Sequence, residues 1–127
     1  MSRRLFDRRQ TLHAPHVLDV EAAQVIRRHA ANREINQERG RAALDDLADL
    51  QVRRYAHDFL LQRVWNLRHN LTAYDAVYIA LAEALDAPLW TRDQRLAAAA
   101  GRRAGINVRA QPTLMRGGLR SVCRMTQ

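Results

Sequence analysis

The chain contains no lysine: all 21 of its basic residues are arginine, set against 13 acids, for a net charge of +8 and a pI near 11.2. Cysteine occurs once, at Cys123, which excludes an internal disulfide framework and suits a reducing cytoplasm. With three prolines and five glycines there is no Pro- or Gly-rich linker, and no tandem repeat or heptad array is present. No apolar run approaches the roughly 20 residues of a membrane span, and the N-terminal segment has no signal-peptide h-region. What remains is 127 residues, 47% of them apolar, enough for one domain with a core.

A pI this high invites a guess of nucleic-acid binding, but the charge is unevenly placed. Residues 1–10 hold four arginines and one acid, net +3, and residues 101–127 hold six arginines and no acid, net +6. The body between them, with eleven arginines and twelve acids, is net −1. The basic balance belongs to the two ends and is poor evidence for a nucleic-acid partner.

Periodicity places the elements. Thr11–Ala14 reads as a short strand, and Pro15 suits the first turn of a helix over residues 16–32. Leu18, Ala22, Val25, Ile26 and His29 would form its buried face. Asn36 is an N-cap for a helix reaching Leu50. Residues 51–55 read as a strand, and Asp58 opens a helix ending near Asn70. The strongest helix runs over residues 72–86, with Tyr74, Val77, Tyr78, Leu81, Ala82 and Leu85 on one stripe. Residues 88–91 are extended, residues 93–100 helical, and residues 106–108 a last strand. Helices alternating with short apolar runs imply an α/β layer fold with a parallel sheet, here over residues 1–110. Residues 111–127 show no period and are expected to be a mobile basic tail.

Three acids stand out. Glu21 falls in the apolar stripe of its helix, where an unpaired carboxylate costs several kcal/mol. A metal ion would compensate it, and so would an arginine or a place at the rim. Asp75 stands three residues after Thr72, the capping-box spacing, which explains the pair by itself. A helix N-terminus beside a sheet edge is also where open α/β sheets place ligands. Asp93 directly follows the strand ending at Thr91, as an ordinary first-turn acid would. Asp19, in a first helical turn, suits the helix dipole. Together, Glu21, Asp75 and Asp93 flank one sheet edge, and carboxylates are what a hard divalent cation requires.

Other candidates are weaker. His13 and His16 straddle a proline and share no helix face. His29 reads as a hydrogen-bonded core histidine, and His57 and His69 have no partner at motif spacing. Cys123 has no acid or histidine pattern beside it, and no Walker A loop, GxGxxG fingerprint or CxxC pair occurs. The tryptophans and tyrosines suit core or interface positions.

The stretch Leu71-Thr-Ala-Tyr-Asp75-Ala-Val-Tyr-Ile-Ala-Leu-Ala-Glu83, followed by Ala87-Pro-Leu-Trp-Thr91-Arg-Asp93-Gln-Arg-Leu96, resembles the C-terminal half of a PIN domain. It is most similar to the VapC-type ribonuclease toxins of bacterial toxin–antitoxin pairs. Upstream, His13-Ala-Pro-His16-Val-Leu-Asp-Val-Glu21 resembles the family's helix that carries an acidic ligand. The resemblance spans residues 5 to 109. It implies a three-layer α/β/α domain with a mostly parallel central sheet, incomplete at its N-terminus. It also implies four acids holding Mg²⁺ or Mn²⁺ at the sheet's carboxyl edge. Glu21, Asp75 and Asp93 match three of those positions as metal-binding and catalytic residues, with Thr72 and Thr91 as supporting hydroxyls. The implied activity is metal-dependent hydrolysis of RNA, tRNA or rRNA, by a homodimer held in check by a cognate antitoxin.

The family's opening strand, an apolar run ending in an aspartate, has no counterpart here. Met1-Ser-Arg-Arg stands where the family's second helix is under way, and Asp7 is in the wrong place to substitute. The expectation is a sheet lacking an interior strand and an acidic site lacking one of its four members. Such a gap exposes unpaired backbone edges. Three accounts stay open: a start further upstream, a degenerate toxin that keeps the fold but not hydrolysis, or a partner chain that supplies the element.

Overall fold

A computed structural model of the chain describes residues 10–101, 108–110 and 121–126. Strand β1 (Gln10–Pro15) leads into helix α1 (Val17–Ala31) and then α2 (Gln37–Asp49) and strand β2 (Val52–Tyr55). A 3₁₀ turn (Asp58–Leu60) opens α3 (Leu61–Asn66), followed by α4 (Ala73–Leu85), β3 (Leu89–Thr91), α5 (Gln94–Gly101), β4 (Val108–Ala110) and β5 (Ser121–Thr126).

The five strands form one sheet in the order β2-β1-β5-β3-β4. β1 is parallel to β2, with Leu12 opposite Val52, and β3 is parallel to β4, with Leu89 opposite Val108. β5 lies between the two pairs and runs antiparallel to both neighbours, setting Cys123 opposite His13 on one side and Leu89 on the other. The other four strands therefore point one way, and their carboxyl ends share one edge of the sheet.

Helices cover both faces. On one, Leu18 and Ala22 of α1 and Leu47 of α2 pack on Leu12, Ala14, Val52 and Val122. On the other, Leu60, Val64, Leu67, Leu96 and Ala100 join α4 against Leu89 and Cys123. In α4, every residue from Ala76 to Ala82 is buried, so this helix is core on nearly all sides. The three-layer α/β/α expectation is met.

β5 corrects the expectation of a mobile tail for residues 121–126; residues 111–120 lie outside the described residues. Ser121, Val122 and Cys123 are fully buried, with Val122 on one face and Cys123 on the other. The driving physics is the gap itself. Without a strand between β1 and β3, two rows of backbone groups would be left unpaired in the interior. Of the open accounts for the missing interior strand, none had the chain's own C-terminal segment filling the place.

Two further differences are local. β4 runs on to Ala110, two residues beyond the expected end, while residues 106 and 107 lie outside the described residues. The helix after Asp58 splits, because α3 ends at Asn66 and residues 67–70 form turns.

Arg54 ties the first face together. Its Nε donates to both carboxylate oxygens of Asp19, at 3.0 and 2.8 Å, and its Nη2 donates to the Leu47 carbonyl at 2.9 Å. Asp19 is thus an ion-pair partner as well as a first-turn acid.

Candidate functional site

The carboxyl edge gathers the start of α1, the start of α4, the turn after β3 and the first residue of β5. α1 leaves β1 at this edge, and α4, which returns to β3 from the opposite end, begins at it. Open α/β sheets bind ligands at such an edge.

Asp75 and Asp93 are set there by local chemistry, Glu21 by a bond across to α4. Thr72 caps α4, its Oγ1 accepting from the Asp75 amide at 3.2 Å, so Asp75 sits in the first turn. The Thr91 hydroxyl accepts from the Asp93 amide at 3.0 Å. Asp93 Oδ1 in turn accepts from the amides of Arg95 and Leu96, at 3.0 and 3.2 Å, opening α5. Glu21, half-buried in α1, accepts at Oε1 a 2.8 Å hydrogen bond from the hydroxyl of Tyr78 in α4. The Tyr78 hydroxyl is one donor that accommodates Glu21 on its apolar stripe.

β5 brings a hydroxyl to the same edge. Ser121 pairs with Thr91 across the sheet and donates to Thr91 Oγ1 at 2.8 Å, both residues being buried. β5 runs the other way and begins at this edge with Ser121, whereas the resemblance calls for a strand ending there in aspartate.

All three predicted acids thus lie at one edge, Asp75 and Asp93 beside local caps and Glu21 bonded across to α4. Among the described residues, no group of three His, Cys, Asp or Glu side chains is placed to hold a metal ion. Hard cations take oxygen ligands and keep several waters. The donor type and edge suit such an ion, but Glu21, Asp75 and Asp93 are not drawn into a ready-made cage.

The histidines take structural roles. His13 is buried in β1, its ring bridging Thr11 Oγ1 and Tyr55 Oη at 2.7 Å each. Burial, and then the nearby charge of Arg53, hold its pKa below the usual value of 6.5. His57 Nε2 accepts from the Val17 amide at 3.0 Å, satisfying one orphan donor of α1. The expectation for His29 is corrected: it is exposed at the end of α1 and bonds Glu34 at 2.9 Å. Cys123 is fully buried, and burial pushes its thiol pKa up to about 12, which leaves it inert at neutral pH.

Two residues were not singled out from sequence. Spacing shows Tyr78 only as a member of an apolar stripe; its signal is that a buried tyrosine hydroxyl needs a partner. Ser121 carried no signal, since nothing periodic surrounds it. Tyr74 departs from the same stripe, being 62% exposed. It lines a groove of about 490 Å³ between α1 and α4, with Glu21, Gln24, Arg28 and Tyr78.

A protein-family model of the PIN domain matches residues 2–102. The chain belongs to the PIN-domain family. Among its relatives in Mycobacterium tuberculosis, Ribonuclease VapC1 is 53% identical over 90 residues, which cover 70% of this chain and 68% of that protein. Ribonuclease VapC9 is 46% identical over 87 residues, 68% of each chain. Ribonuclease VapC12 is 38% identical over a longer stretch of 108 residues, 85% of this chain and 82% of its own. The likeness places this PIN domain with the VapC type. No described helix is long and apolar enough to cross a membrane.

Proposed function

We propose that this PIN domain is the toxin of a toxin–antitoxin pair, an endoribonuclease that hydrolyses RNA phosphodiester bonds with Mg²⁺ or Mn²⁺. The observation that carries the reading is the placement of Glu21, Asp75 and Asp93 at one carboxyl edge, in a chain so similar to proteins named ribonucleases. The substrate would be tRNA or rRNA, the working form a cytoplasmic homodimer, and the regulator a cognate antitoxin.

The chemistry divides simply. A bound divalent ion supplies Lewis-acid stabilisation of charge on the phosphoryl group and lowers the pKa of water. Glu21, Asp75 and Asp93 hold and orient, with Thr72 and Thr91 fixing the backbone from which two of them project. Water adds to phosphorus as the P–O3′ bond breaks, leaving a 5′-phosphate and a 3′-hydroxyl.

A second reading is favoured by Ser121. With a serine where the family's strand ends in aspartate, three carboxylates leave the remaining coordination to water. In that reading the chain is an inactive PIN domain that still binds antitoxin or RNA.

Purified protein incubated with structured RNA and Mg²⁺ or Mn²⁺ tests both. Metal-dependent cleavage that disappears in Asp75→Ala supports the first reading. Thermal unfolding with Mn²⁺ gives a second readout, because a ligand at a hundredfold excess over its Kd adds about 2.7 kcal/mol. No cleavage and no thermal shift, with RNA still bound, would select the second.

A further inference from the structure

The groove between α1 and α4 opens beside Glu21 and has walls of mixed character. Along α1, Glu21, Gln24 and Arg28 follow one another at steps of three and four, which puts them on one helix face. Their polarity is graded: carboxylate at the acidic edge, amide in the middle, guanidinium in the last turn. Gln24 Oε1 accepts from Arg27 Nε at 3.0 Å, which makes the NH₂ its donor end. The opposite wall presents Tyr74, 62% exposed, one residue before Asp75. Val20, 70% exposed, adds apolar surface at the mouth.

From these positions we infer that the groove is a subsite for one nucleotide of single-stranded RNA flanking the scissile phosphate, with Tyr74 the stacking platform. The inference rests on the RNA-hydrolysing reading and deepens it. An exposed aromatic ring is what an unstacked base seeks, and an amide beside it can bond a base edge. Glu21 and Arg28 are seven residues apart, about 10 Å along the helix. The guanidinium therefore meets a flanking phosphate, away from the acidic edge where anion and carboxylate would repel. The volume of about 490 Å³ is in the range of small-ligand sites.

The test is fluorescence anisotropy of a fluorescein-labelled, mixed-sequence single-stranded RNA oligonucleotide, in EDTA so that binding is read without cleavage. Tyr74→Ala weakens binding by about 5- to 150-fold, the worth of one base–aromatic stack, and Tyr74→Phe retains it. Arg28→Ala weakens binding and lowers the salt slope by about one. Trp65→Ala, an equally exposed aromatic on α3, leaves affinity unchanged. Unaltered binding by Tyr74→Ala, or an equal loss in Trp65→Ala, overturns the subsite while leaving the RNA reading intact. Wild-type protein that binds no RNA overturns both. Tyr74 is exposed, so thermal unfolding should show Tyr74→Ala folded, and an unfolded variant is replaced by Tyr74→Gln.

Discussion

Tyr78 Oη donates to Glu21 Oε1 at 2.8 Å, joining a fully buried residue of α4 to the acid that α1 carries to the carboxyl edge. This bond spans 57 residues of sequence and links helices that pack on opposite faces of the sheet. Hydrogen bonds to a charged acceptor are worth about 1.5–3 kcal/mol. Tyr78→Phe is therefore expected to lower stability by that amount in urea unfolding, with the aromatic packing retained. Glu21→Gln, which keeps an acceptor oxygen, should cost less.

The place of β5 predicts that the C-terminal strand is required for the fold. A chain ending after Arg120 opens the sheet between β1 and β3 and uncovers both faces' cores. It is expected to lose its cooperative transition by circular dichroism and to aggregate. Ser121→Ala tests the edge alone, removing the hydroxyl that donates to Thr91 for about 1 kcal/mol. A cooperative transition of full size in the truncated chain would show β5 to be dispensable.

Thr72 has a measurable role apart from any catalysis. Its side chain is the N-cap of α4, the most buried of the described helices. Thr72→Ala is expected to cost about 0.5–2 kcal/mol, and Thr72→Ser or Thr72→Asp to restore most of it.

Acid should act through His13. Its pKa is lowered in the folded state, so the unfolded chain takes up the proton first as pH falls below 6.5. The stability this group contributes is present above pH 6.5 and is lost as pH falls towards the folded value. In His13→Gln the acid limb of stability against pH is expected to be shallower. An identical limb would show that other groups govern it.

Alkali should act through Cys123. The unfolded thiol ionises near pH 9.0, the folded one only near 12. Between these values the unfolded chain holds fewer protons, so stability falls by about 1.4 kcal/mol per pH unit. Cys123→Ala is expected to flatten this decline. At pH 8 the native thiol should resist Ellman's reagent except through unfolding, and rapid labelling of folded protein would contradict its burial.

Much of this molecule was legible before folding. The α4 stripe, the Asn36 cap and the Thr72–Asp75 cap are local, decided by residues within one turn of each other, and Asn36 Oδ1 does accept from the Arg39 amide at 2.7 Å. The placement of Glu21, Asp75 and Asp93 at one edge follows from element order, because alternating strands and helices leave each acid at the same end. Tyr74 shares the stripe and is nonetheless exposed, because a helical period tells which residues share a stripe, and not how far the covering elements extend over it. His29 failed for the same reason at the far end of α1.

By itself, the sequence determined the helices, the parallel pairs, the acidic edge and the family. Those rest on short-range spacing and on motifs that keep their order along the chain. Only the tertiary structure decided how Glu21 is accommodated, and what stands between β1 and β3. Residues 121–126 have no local preference that distinguishes them from a tail. They become a strand because an interior gap offers unpaired backbone groups on both sides, and filling it satisfies them. Nothing in the segment itself signals that demand, since it is set by elements 30 residues or more away from it.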